Sequence, residues 1–147
     1  MQGAVVLLLT IDSPDLSHGG GQPVILVAED EVLVRNFVCL QLQRDGYQVL
    51  AAADGVEALQ VARAYTGTIH MLLTDVVMPR MDGLALASQM LEERPGTRIL
   101  VMSGRVVIEG QEQTIDLPFI KKPFLAKALR DKVKEVLKNP PPEGKRA

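Results

Sequence analysis

Pro23-Val-Ile-Leu-Val-Ala-Glu-Asp-Glu31 is a short unbroken apolar run ending in acids, and the fold class follows from what comes after it. Val32 to Arg44 carries Val34, Phe37, Val38 and Leu42 at helical spacing, so the two stretches read as strand then helix. The alternation then repeats. Gly46-Tyr-Gln-Val-Leu-Ala51 is a second strand, and Gly55 to Tyr65 a second helix with Ala58, Leu59 and Ala62 on its apolar side. Ile69-His-Met-Leu-Leu-Thr74 is a third strand running into Asp75, and Leu84 to Glu93 a third helix that Pro95-Gly96 stops. Arg98 to Met102 is a fourth strand and Pro118-Phe-Ile-Lys121 a brief fifth. Phe124 to Lys138 is a last helix carrying Leu125, Leu129, Val133, Val136 and Leu137. Residues 104–117 read two ways: Val106-Val-Ile108 could start a helix, while Gly110 and the polar run after it weaken one. Near-continuous apolar strands alternating with helices predict a parallel sheet covered on both faces, because each crossover helix packs back onto it. The expected fold is an open, doubly wound three-layer α/β sandwich with five strands.

The chain has 147 residues, 47% of them hydrophobic and 23% charged, with a formal net charge of -2, the profile of one globular domain. At this length a folded chain buries roughly two-thirds of its unfolded surface, enough for a core without disulfides. Cys39 is the sole cysteine, so an internal bridge and a thiolate zinc cluster are excluded, and a reducing cytoplasm fits best. The early apolar run Ala4 to Leu9 is far below the roughly 20 residues that span a bilayer, and no basic residue precedes it as in an export signal. Aromatics make up 3% with no tryptophan, which argues against stacking platforms for single-stranded nucleic acid. From Lys121 to Ala147 there are nine Lys/Arg against three Asp/Glu, so the rest of the chain is acidic. The basic residues among Lys127 to Lys138 are interspersed with Asp131 and Glu135, as on the solvated face of a helix whose C-terminal cations suit its dipole.

In open parallel sheets ligands bind beyond the carboxyl ends of the strands, so the residues just after each apolar run are the ones to collect. They are Glu29-Asp30-Glu31 after the first strand, Asp75 after the third, Ser103 after the fourth and Lys122 after the fifth. Carboxylates converging on one crevice repel by kilocalories unless a cation intervenes, and hard oxygen ligands suit Mg²⁺ or a similar ion such as Mn²⁺. Ser103 adds a hydroxyl donor and Lys122 a point charge, both suited to the oxygens of a phosphoryl group. Acids at strand ends also serve as ordinary helix caps, the role expected of Asp54 and Asp82 before Gly55 and Gly83.

With these residues in place, the sequence resembles the receiver domains of two-component response regulators over residues 23–138. The motifs are Ile25-Leu-Val-Ala-Glu-Asp-Glu31, Leu72-Leu-Thr-Asp-Val-Val-Met-Pro-Arg-Met-Asp-Gly83, Val101-Met-Ser-Gly104 and Phe119-Ile-Lys-Lys-Pro-Phe124, in the family's order. The resemblance implies a flavodoxin-like fold and a bacterial phosphorelay module, with Asp75 accepting a phosphoryl group from a sensor histidine kinase or phosphotransfer protein. It implies Mg²⁺ held directly by Asp30 and Asp75, through water by Glu29, and by the backbone carbonyl of Val77. Lys122 would pair with Asp75 and then with the phosphoryl oxygens, Ser103 would swing toward them, and the Lys122–Pro123 peptide would be cis. Phe119 stands where many members have a switch tyrosine and reads equally as switch or core. Glu29 replaces the more usual aspartate, adding one methylene. The interval from Ser103 to Lys122 is shorter than in many relatives, so a helix there is expected to be short, irregular or absent. Val77 and Arg105 occupy positions that influence dephosphorylation in relatives.

The implied function is a phosphorylation-dependent signalling domain that catalyses only its own modification. Two other functions compete with it: a phosphorylation-independent binding module, and a phosphatase of the haloacid dehalogenase type. The latter wants an aspartate where Val77 stands. His18 and His70 read as surface residues, Cys39 as an inert helix residue, and Met78 and Met81 as packing beside the third loop. Residues 1–22 read as an extension, with a possible extra strand at Ala4 to Ile11 and a flexible joint at Gly19-Gly-Gly21. Residues 139–147 read as a proline-rich tail too short for a DNA-binding unit. A single-domain regulator and the receiver of a hybrid histidine kinase both fit, the extension favouring the second. The extra strand could also pair with the sheet edge of a second copy, giving a homodimer, and a downstream protein is the expected reader.

Overall fold

The computed structural model describes residues 21–103 and 117–140. The expectations for Ala4 to Ile11, His18, Arg105, the interval between Ser103 and Leu117 and the tail beyond Pro140 fall outside the described residues. Five strands form one sheet: β1 (Val24–Ala28), β2 (Gln48–Ala52), β3 (Met71–Asp75), β4 (Arg98–Ser103) and β5 (Phe119–Lys121). Four described helices accompany them: α1 (Val32–Arg44), α2 (Gly55–Ala64), α3 (Gly83–Glu93) and α4 (Ala126–Lys138). Every pairing is parallel and the strand order is β2-β1-β3-β4-β5. The order reverses between β1 and β3, so the chain leaves these neighbours in opposite directions and opens a crevice at their carboxyl ends.

Alternate residues of β1 to β4 feed two separate cores. Leu26, Leu50, Leu72 and Ile99 face Ala58, Leu59, Leu86 and Met90 of α2 and α3. Ile25, Val49, Met71, Leu73 and Leu100 face Val38, Leu42, Leu129 and Val133 of α1 and α4. This is why β1, β3 and β4 lack the polar alternation of a half-exposed strand: both faces are covered. No helix among the described residues is long and apolar enough to cross a membrane.

Several boundaries differ from the periodicity. β2 begins at Gln48 because Gly46 takes a left-handed φ of 92° and the Tyr47 N–H still donates to the Leu42 carbonyl, closing α1 first. The last helix begins at Ala126, two residues beyond the expected Phe124, because Leu125 is extended, with ψ 160°, and serves as the N-cap. His70 is a correction: it is half-buried just before β3, and its Nδ1 accepts a hydrogen bond from the Val24 N–H at 2.9 Å. Parallel pairing places the start of β1 beside the entry to β3, and periodicity along one strand does not report that neighbour.

Candidate functional site

Strand register brings the polar ends together. Ala28 pairs with Thr74 and Asp75 with Met102, so Glu29 and Asp75 leave adjacent strands at the same level. Ser103 pairs with Lys121, placing Lys122 just beyond the same edge, where its N–H donates to the Ser103 carbonyl at 2.8 Å. The β5 end is separated from that of β3 by β4, so a long side chain is needed to cross to the crevice. Lys122 has that reach: its Nζ donates to Glu29 Oε1 and to Asp75 Oδ2, both at 3.0 Å. The Lys122–Pro123 peptide is cis.

Glu29 is completely buried. Its Oε2 accepts from the Glu31 N–H at 3.0 Å, and its backbone carbonyl accepts from Arg35 Nη1 at 2.8 Å. Burial raises the Glu29 carboxyl above its ordinary value, against the Glu31 N–H and Lys122. Burial alone would lower Lys122, but the hydrogen bonds it donates to Glu29 and Asp75 outweigh it and raise the ammonium above its ordinary value. Lys122 is therefore a fixed cation at neutral pH. Asp75 Oδ1 accepts from the Val76 N–H at 2.8 Å.

Glu29, Asp30 and Asp75 each offer a carboxylate oxygen, and these oxygens lie within 4.8 Å of one another. Ionised, they carry three negative charges, and Lys122 cancels one. The remaining two match a divalent cation, and an all-oxygen donor set suits a hard ion such as Mg²⁺. The residues present fit the ion the sequence implied.

The loop after Asp75 is held at both ends. The Gly83 N–H donates to the Val76 carbonyl at 2.8 Å, and a Cβ on Gly83 would overlap the Asp75 carbonyl oxygen. Only glycine lets α3 start this close to the backbone of β3. Asp82 caps α3, accepting from the Ala85 N–H at 2.8 Å, and Asp54 caps α2, accepting from the Glu57 N–H at 2.9 Å. Both caps were legible as acids before Gly-led helices. Two contacts were not. Arg35 reaching the Glu29 carbonyl and Arg80 pairing with Asp54 join residues whose proximity is set by packing, and no spacing along the chain marks them.

Ser103 ends β4 and is buried, on the same edge as the acids. Val77 is 75% exposed on the loop after Asp75. Phe119 is 41% exposed on β5, which excludes the core reading for its side chain. Met78 is buried in the core and Met81 packs partly against it, as expected. Cys39 is buried, which pushes its thiol up to about 11 and leaves it un-ionised at neutral pH.

Comparison with known proteins agrees with this geometry. The family model of the response regulator receiver domain matches residues 25–134. The chain is 35% identical over 120 residues to a sensor kinase, CckA, of Brucella abortus, covering 80% of this chain but 13% of that protein. It is 34% identical over 117 residues to the response regulator receiver protein CpdR of the same organism, covering 78% of this chain and 93% of the relative. Against several other curated relatives it spans about half their length. The crystal structure of the chemotaxis protein CheY4 from Vibrio cholerae superimposes with a TM-score of 0.70 at 26% identity, over 79% of this chain and 99% of that one.

Proposed function

This chain belongs to the response regulator receiver family and is a phosphoacceptor signalling domain, and on that premise we propose that Asp75 is the residue that takes the phosphoryl group. The observation that carries the assignment is the convergence of Glu29, Asp30 and Asp75 at the carboxyl edge of the sheet, with Lys122 bonded to Glu29 and Asp75. Receiver domains work with histidine kinases or phosphotransfer proteins. In the proposed reaction a carboxylate oxygen of Asp75 attacks the phosphorus of a phosphohistidine. The new P–O bond forms as the P–N bond breaks, and the electron pair returns to the donor imidazole. The Lys122 ammonium, already bonded to Asp75, is in reach of the incoming phosphoryl oxygens and keeps its proton throughout. Asp30, Asp75, Glu29 through a water and the Val77 carbonyl would hold Mg²⁺ or Mn²⁺, which neutralises phosphoryl charge when bound.

The Ser103 hydroxyl engages the phosphoryl after transfer, and exposed Phe119 responds on the adjoining β5, changing the surface a downstream protein reads. Hydrolysis of the acyl phosphate by the domain itself ends the signal. We further propose a cytoplasmic module spanning residues 23–138, alone or within a hybrid kinase, with residues 1–22 and 139–147 as flanking extensions.

The test is the intact mass of wild type and Asp75→Asn after incubation with Mg²⁺ and acetyl phosphate, with a metal-free control. The expected result is one added phosphoryl mass that requires both Mg²⁺ and Asp75. A folded, Mg²⁺-binding wild type that gains nothing would return the assignment to a binding-only domain.

A further inference from the structure

Arg80 has a left-handed φ of 66°, alone in this among the described residues other than glycine. Its Nε donates to Asp54 Oδ2 at 2.9 Å and its Nη2 to Asp54 Oδ1 at 3.2 Å, a two-pronged pair between the loop after Asp75 and the cap of α2. Asp54 is buried, and the same Oδ1 caps the helix through the Glu57 N–H. The contact is close along its length: a Cβ on Gly55 would lie 2.6 Å from the Met81 carbonyl oxygen. Arg80 itself is 56% exposed.

Exposure of the guanidinium screens part of the pair's contribution to global stability, and a left-handed arginine carries a conformational cost that asparagine or glycine would lessen. The pair has a local consequence as well. Residues 76–82 leave Asp75 at one end and return to it at the other, where the Gly83 N–H meets the Val76 carbonyl. That closure fixes the foot of the loop, buried Met78 and partly buried Met81 seat its inner side on the core, and the exposed rim of its arc is left to be fixed by something else. Arg80 ties the rim to α2.

We infer that Arg80 and Asp54 form a positioning pair for phosphoryl transfer, holding the loop that carries Val77 and follows Asp75 in its reactive arrangement. The inference rests on the phosphoacceptor reading above. Neither residue touches the reacting atoms, and each acts through the backbone between Asp75 and Gly83. A small displacement there is felt strongly in rate, because transfer depends on alignment of the acceptor oxygen with the phosphorus.

The test compares Arg80→Asn, which tolerates the left-handed backbone but lacks the cation, Asp54→Asn, which keeps a capping side chain but lacks the charge, the double variant, and Arg80→Lys. Each is labelled with acetyl phosphate across a Mg²⁺ titration, with thermal unfolding recorded alongside. The expected result is that each asparagine variant slows labelling by about three- to tenfold and needs more Mg²⁺ for half-maximal rate, while the double variant is no slower than the worse single one. Arg80→Lys, which restores the charge without the fork, recovers part of the rate. Folded single variants that label like wild type, or a double variant slowed by the product of the single effects, would overturn the inference. A lowered unfolding temperature with an unchanged rate would likewise reduce the pair to a structural clamp. Wild type run in parallel separates the two levels: an unlabelled wild type sinks the phosphoacceptor reading, whereas a labelled wild type beside indifferent variants sinks only the positioning pair.

Discussion

His70 shows how one side chain ties stability to pH. Its Nδ1 accepts from the Val24 N–H, so the bond exists only while the ring is neutral there. Burial, helped by nearby Arg98, lowers its pKa below the ordinary 6.5. The unfolded chain therefore binds the proton first as pH falls. Stability from this group is complete above 6.5 and is lost as pH falls through that value toward the folded one. Urea unfolding across this range should show a stability that rises with pH, and His70→Asn should flatten the rise. Lys122 is the other residue on which much turns. Lys122→Met leaves Glu29 buried without its ammonium and removes the charge proposed to face the incoming phosphoryl. The variant should lose about 1–3 kcal/mol of stability. Labelling by acetyl phosphate should slow about 100-fold, and a labelling rate near that of wild type would remove Lys122 from the proposed chemistry.

At the scale of elements, the helix starts organise the crevice. α3 begins against β3 so closely that Gly83 has no room for a side chain, the obstruction being the Asp75 backbone and Thr74 Oγ1. Gly83→Ala must push α3 or the Asp75 backbone aside, and should cost about 2–4 kcal/mol in denaturant unfolding as well as slowing labelling. Gly96, between α3 and β4, has open space for 4 Å around the point where a Cβ would stand and no left-handed φ, so Gly96→Ala should be neutral or stabilising by about 0.5 kcal/mol. Asp82→Ala removes the cap of α3 and should cost about 1 kcal/mol. At the other end of α3, Arg94 donates to the carbonyls of Ala62, Tyr65 and Gly67, finishing α2 with a side chain from its neighbour. The two helices are thus braced at their C-terminal ends by Arg94 and, at the loop after Asp75, by Arg80.

For the whole molecule the sheet is a rigid base whose carboxyl edge concentrates negative charge. The fold holds Glu29, Asp30 and Asp75 together against their repulsion, and the unfolded chain does not, so a divalent cation at the proposed site would bind the folded state preferentially. Mg²⁺ should raise the unfolding temperature of wild type, by about 2.7 kcal/mol in stability at a hundredfold excess over its dissociation constant. Chelation should reverse the gain, and Asp30→Asn or Asp75→Asn should abolish most of it. An equal gain in those variants would place the ion elsewhere.

The chain's own periodicity determined the number and direction of the described strands and the residues at their carboxyl ends, because burial on both faces leaves unbroken apolar runs punctuated by acids, serine and lysine. The two caps at Asp54 and Asp82 were legible for a local reason: a cap interacts with its own helix. Tertiary structure alone decided which of these ends share a crevice. Lys122 meets Glu29 across 93 positions, Arg80 meets Asp54 across 26 and His70 meets Val24 across 46, distances over which no short-range pattern carries a signal. Strand order and register made those meetings, since they set which chain ends stand side by side once the two cores are filled.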